Sequence, residues 1–138
     1  MGHRHFKKRI LNLVFVMFLS FFLSGFVLQK AATEQGLYFV SLELPEKQLK
    51  PGINSMKIFV GDRKSRVPVR DKLDIEVVPW MPSHEHGTSE MAVVKELGQG
   101  YYSVEGVNLT MSGHWEIYVR INQGRRGEDT AVFNVNVR

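Results

Sequence analysis

His114-Trp115-Glu116-Ile117-Tyr118-Val119-Arg120-Ile121-Asn122 is the stretch that decides the fold. Trp115, Ile117, Val119 and Ile121 form an apolar row, with His114, Glu116, Tyr118, Arg120 and Asn122 opposite. A period of two, carried by β-branched and aromatic side chains, predicts a strand with one face buried. On a helix the same residues would scatter around the axis and bury no continuous stripe.

The same period spreads outward in both directions. Downstream, Gln123-Gly124-Arg125-Arg126-Gly127 reads as a turn, and Ala131, Phe133, Val135 and Val137 then alternate with Val132, Asn134 and Asn136. Upstream, Tyr102 and Val104 point inward in a run that follows the turn Gly98-Gln99-Gly100. Tyr38, Val40, Leu42 and Leu44 share one face, Met56, Ile58 and Val60 another, and Leu73, Ile75 and Val77 a third; Ala92 to Leu97 adds a further run. Pro51-Gly52 and Gly61-Asp62 supply turns. Seven short strands and no helical pattern after residue 28 predict an all-β, antiparallel, immunoglobulin-like sandwich over residues 38–138.

Ile10 to Leu28 reads ILNLVFVMFLSFFLSGFVL, 19 residues without a charge. As a helix it would reach roughly the thickness of a bilayer's hydrocarbon core. Arg4, Lys7, Lys8 and Arg9 precede it. Basic flanks stay cytoplasmic, so residues 1–9 are expected inside and the sandwich outside the membrane, periplasmic or at the cell surface. No good small-x-small cleavage signal follows, since Gln29 and Lys30 occupy the −3 positions of Ala31 and Ala32. The run is therefore read as a single-pass anchor, with 29–37 as a linker.

Those four basic residues also account for the net charge of +4: from Gln29 onward 14 basic residues face 14 acidic ones. A basic nucleic-acid surface is not expected, and Arg63, Lys64, Arg66 and Arg70 read as a solvated loop. The chain has no cysteine, which excludes disulfides, thiolate ligands and cysteine nucleophiles. No nucleophile-base pair stands out, and His-Glu-His lacks the spacing of a metalloprotease helix, so an enzyme is not expected.

One stretch carries distinctive chemistry. Pro79-Trp80-Met81-Pro82-Ser83-His84-Glu85-His86-Gly87 places a thioether, two imidazoles and a carboxylate within six residues, bracketed by prolines and a glycine. Such a stretch reads as a loop that no helix or central strand crosses. Thioether with imidazole suits copper, Cu(I) above all. Glu85 has three readings: a ligand for a harder metal, an orienting partner for an imidazole, or a solvated carboxylate. Trp80 would shield the site or stack on a cation.

Alternating strand directions bring a second loop alongside. With the strand at 38–44 counted first, the loops 79–91 and 108–113 fall at one end. Met111-Ser112-Gly113-His114 thus adds a thioether and an imidazole. The candidate metal residues are Met81, His84, His86, Met111 and His114. Met111 has two roles open to it, ligand or plug of the core's end, where a flexible thioether fills gaps. The same counting puts the linker at the opposite end, with the His/Met end facing away from the membrane.

The chain resembles the YtkA-like / FixH family. The residues that carry the likeness are Gly52-Ile53-Asn54, Val77 to Gly87, Gly98-Gln99-Gly100-Tyr101-Tyr102, Met111 to Ile117 and Ala131-Val132-Phe133-Asn134-Val135. The resemblance implies a membrane-anchored extracytoplasmic domain. It also implies copper handling, with a cation transporter or an oxidase under assembly as partner. It supports Met81, His84 and His86 as ligands, with Met111 beside them. Two functional readings follow. One is a copper carrier or chaperone. The other is a metal-free interaction module of a membrane complex, in which Ser20, Ser24 and Gly25 let a partner helix approach closely.

Overall fold

A computed structural model describes residues 27–45, 49–124 and 127–138. The segment 1–26, which holds the basic flank and most of the expected anchor, lies outside the described residues. Among the described residues no helix is long and apolar enough to cross a membrane.

Among the described residues nine strands form two antiparallel sheets: β1 (Val27–Ala32), β2 (Tyr38–Leu44), β3 (Gly52–Asp62), β4 (Asp74–Met81), β5 (His86–Gly87), β6 (Val93–Gly98), β7 (Tyr101–Leu109), β8 (Gly113–Asn122) and β9 (Glu128–Val137). One sheet has the order β1-β2-β3-β7-β6 and the other β5-β4-β8-β9. The all-β sandwich is as expected, but the count is nine rather than seven. All seven alternating runs form strands, and β1 and β5 are additions.

Neither addition could announce itself by alternation. β1 pairs with β2 from Val27↔Leu44 to Ala32↔Phe39, yet none of its residues is fully buried. Backbone hydrogen bonds at a sheet edge hold it, and those need no apolar face. Residues 27–32 are therefore not the end of a helix and the start of a linker but the first strand of the sandwich. β5 is too short to show any period.

The core lies between the inner faces, where Trp115, Ile117, Val119 and Ile121 of β8 are fully buried. They meet Val40, Leu42, Ile58, Val60 and Val104 of the other sheet in one cluster. Burying each such side chain is worth about 1.5–3 kcal/mol. The outer face of β4 and β8 carries an ion pair, Glu76–Arg120 at 3.2 Å, and a hydrogen bond from Tyr118 to Glu116 at 2.7 Å. That bond to the carboxylate pushes the Tyr118 hydroxyl pKa up from its ordinary value.

Asp129, the only inward carboxylate of β9, ties the two sheets together far from the Met/His stretch. It is 2% exposed. Its oxygens accept the N–H groups of Gln35 (2.8 Å) and Leu37 (3.1 Å) in the β1–β2 turn. Glu34 N–H adds a bond to the Thr130 carbonyl at 2.9 Å. Burial alone would raise the carboxyl's pKa. Bonds from the Thr33 hydroxyl and from the backbone of Gln35, Leu37 and Thr130 outweigh it and hold the value below the ordinary 3.8.

The extra strand reverses the expected polarity. The β1–β2 turn sits beside Thr130, at the end where β8 passes to β9. β1 therefore runs toward that end from the opposite one, where Gly52 pairs with Leu109 and Gly113 with Val137. Met81, the last residue of β4, lies at this same end. β1 thus begins on the side of the Met/His end, whereas the sequence put the linker at the opposite end.

Candidate functional site

β4 delivers the first ligand candidate. Ile75, Val77, Pro79 and Met81 are its inward residues, so Met81 belongs to the core and is 2% exposed. The strand runs through Pro79, which the sequence assigned to a loop. Pro79 pairs with Ile117, and its carbonyl points at Gly87, where a Cβ would stand 2.9 Å away. N and O of one strand residue face the same side, so the missing N–H faces the β5 edge and no bond to β8 is lost. The same close approach requires glycine at position 87.

After Met81 the chain makes one 3-10 turn, Pro82–His84, and Glu85 follows in the left-handed region at φ 53° and ψ 35°. A non-glycine residue there costs roughly 1–2 kcal/mol. It reverses the chain so tightly that His86 pairs with Met81 and Gly87 with Trp80. Glu85 itself points to solvent, the third of its readings.

Paired residues of an antiparallel ladder share a face. His86 therefore lies on the inner face beside Met81. Trp80 pairs with Glu116, so the next residues, Met81 and Trp115, adjoin on the inner face as well. His86, Met81, Trp115 and Val135 make one row across the sheet. The row ends in His86, half-buried at the edge, whose ring meets Trp115 edge-on with centroids 6.0 Å apart. The exposed His84 ring stands 5.8 Å from that of His86.

The hydrogen bonding of His86 sets its tautomer. Nδ1 lies 3.0 Å from the Gly87 carbonyl oxygen. A carbonyl only accepts, so Nδ1 carries the proton, and in the neutral ring Nε2 presents a lone pair. Metal-binding imidazoles are commonly oriented in this way.

The second loop meets the first. A Cβ on Gly113 would fall 2.5 Å from the methyl carbon of Met81, so this thioether lies directly over the Gly113 backbone. Gly113 also has φ +138°, a region closed to most side chains. Trp115 is fully buried, and its Nε1–H donates to the Met111 carbonyl at 3.0 Å, which fixes the turn between β7 and β8.

The five candidates thus divide. Met81, His84 and His86 come together on one turn, and Met111 lies in the β7–β8 turn two residues before Gly113 with its side chain exposed. His114 does not join them. It faces outward on β8, beside Asn136 and on the opposite side of the sheet from His86. The physical reason is the pleat: with Trp115 inward, its neighbour must point out. Trp80 is likewise on the outer face, packed over Gly87. What sequence reasoning missed is Gly113 and the inward Asp129. Gly113 stood inside the quoted motif. Asp129 broke an apolar row without drawing notice.

Among the described residues no group of three or more His, Cys, Asp or Glu side chains is placed to hold a metal ion. A site here would draw on thioether sulfur. The model of the YtkA-like family matches residues 30–120, and the chain belongs to that family. No curated protein and no solved structure matches it.

Proposed function

Taking the chain as a YtkA-like domain, we propose that it is a membrane-anchored, extracytoplasmic carrier of copper. The observation that carries this reading is the pairing of Met81 with His86, whose Nε2 lone pair is free and whose ring stands beside His84. Soft sulfur with two neutral imidazoles suits Cu(I) and requires no loss of thiol protons. His84 and His86 would hold the ion as cargo, with Met81 behind them and Met111 at the rim. An integral membrane protein such as a cation transporter or an oxidase under assembly would exchange it.

The test is a Cu(I) titration of the protein against a chromophoric competitor, followed by NMR of the Met and His side chains. One-to-one binding that shifts Met81, His84 and His86 is expected. Met81→Leu keeps the core volume and should weaken binding while leaving the fold intact. Unchanged affinity in Met81→Leu, or weak binding spread over all histidines, defeats the assignment.

One observation favours the metal-free module instead. Met81 is packed into the core against Gly113, as an end plug would be. On that reading Met81→Leu is silent in every assay and copper binds weakly to all histidines alike.

A further inference from the structure

The direction of β1 says at which end of the sandwich the strand begins. Val27 pairs with Leu44, so β1 begins on the side of the Met/His end. Glu43 pairs with Lys57, so Leu44 and Val27 lie level with Met56, four residues below Gly52 at the tip. Val27 is thus about 13 Å short of that tip. The uncharged run occupies Ile10 to Phe26 and continues without a break into Val27 and Leu28, both exposed on β1. No polar residues intervene as slack. For the opposite end to face the bilayer, about 20 Å of additional extended chain would be needed beside β1. The sequence has none.

The surfaces of the two ends agree with this. Both expose apolar side chains, so apolar area alone does not choose between them. The far end exposes Val67 among charges of both signs, Asp62, Arg63, Lys64, Arg70, Asp71 and Lys72, and Leu97 shares a surface hollow with Glu43 and Lys57. The Met/His end exposes Ile53 (66%), Met91 (75%) and Met111, with Lys50, Glu85, Glu90 and Arg138 as the exposed charges around them. Glu90 is occupied by a hydrogen bond from Asn108, the partner of Ile53 in the ladder.

We propose that the tip formed by Ile53, Met91, Met111 and the His84/His86 turn lies against the lipid surface, with the strands inclined to the bilayer. This rests on reading the run before Val27 as a membrane anchor. Its consequence for the carrier is directional. The imidazoles open toward the plane of the membrane, where an embedded partner exposes its mouth, and not toward soluble carriers.

The absence of cysteine makes the test clean. The full chain is reconstituted in phosphatidylcholine/phosphatidylglycerol vesicles that contain a headgroup spin-labelled lipid. Single cysteines replace Ile53, Met91, Lys64 or Leu97 in turn, each carrying a small fluorophore. Loss of fluorescence is expected for Ile53→Cys and Met91→Cys, and none for Lys64→Cys or Leu97→Cys. Quenching at the far end, equal quenching at both ends, no quenching anywhere, or a chain that carbonate washes from the vesicles overturns the proposal. No metal is present, so its failure leaves the copper reading standing. A chain that shows the pattern but binds no Cu(I) loses only the copper reading.

Discussion

The two ends of the sandwich handle polar groups in opposite ways. At the far end Asp129 is buried and fully engaged, with Gln35 and Leu37 donating to its two oxygens. At the Met/His end the His86 ring keeps Nδ1 engaged and leaves Nε2 open, while His84 stands in solvent. A satisfied buried carboxylate locks two elements together, and its worth shows in stability. A half-satisfied, half-exposed imidazole adds little to the fold and is available to something else. Substitutions at the two ends should therefore separate folding from binding.

The largest effect should come from the residue that underlies the Met/His end. Trp115→Ala removes a fully buried indole and the hydrogen bond that fixes the Met111 carbonyl. A loss of about 3–5 kcal/mol is expected in urea unfolding. Trp115→Phe, which keeps most of the packing but not the N–H, should cost about 1 kcal/mol. A large loss in the phenylalanine variant would mean that the turn, not the core, is what the indole holds.

At the opposite end, Asp129→Asn sets an amide N–H against backbone N–H donors. The expected cost is about 1–3 kcal/mol near neutral pH. The sign of its pH dependence follows from the lowered carboxyl pKa. A carboxylate with a folded-state value below 3.8 contributes stability that is complete above 3.8 and is lost as pH falls through the folded value. Urea midpoints of the two proteins should differ at neutral pH and converge under acid. A constant gap down to strongly acidic pH would show that the carboxylate's charge plays no part.

How legible these ends were from sequence differs for physical reasons. Alternation exposed the inward rows of β2, β3, β4, β7, β8 and β9, because burial on one face imposes a period of two. It could not expose β1, held by backbone bonds, and without that strand the first strand was read as starting at the wrong end. The counting argument still brought Met81 and Gly113 together, since it used only strands downstream of β1. It failed for His114, which stood at the right end but on the wrong face. Residue type drew attention to Met81, His84 and His86. It could not show that Met81 is core or that Glu85 takes a left-handed turn.

Gly113→Ala probes the contact between the two loops. The new methyl meets a flexible thioether tip, which can swing aside, so most of the cost comes from φ +138°. A loss of about 1–3 kcal/mol is expected. If Met81 is a ligand, its displacement should also weaken Cu(I) binding beyond what the stability loss explains. A variant with an unchanged Met81 methyl resonance would show that the thioether does not rest on Gly113.

The smallest effect on folding should come from the histidines themselves. His84 is exposed, and His86 sits at the end of a two-residue edge strand, so neither carries much core area. The double variant His84→Ala, His86→Ala should change stability by within about 0.5 kcal/mol for the exposed ring and little more for the other. Under the carrier reading the same variant should abolish one-to-one Cu(I) binding. A near-silent change in urea with complete loss in the titration is the signature of side chains held out for a ligand. If instead the double variant unfolds as readily as Trp115→Ala, the imidazoles belong to the structural cap, and the Met/His end is built like the far one.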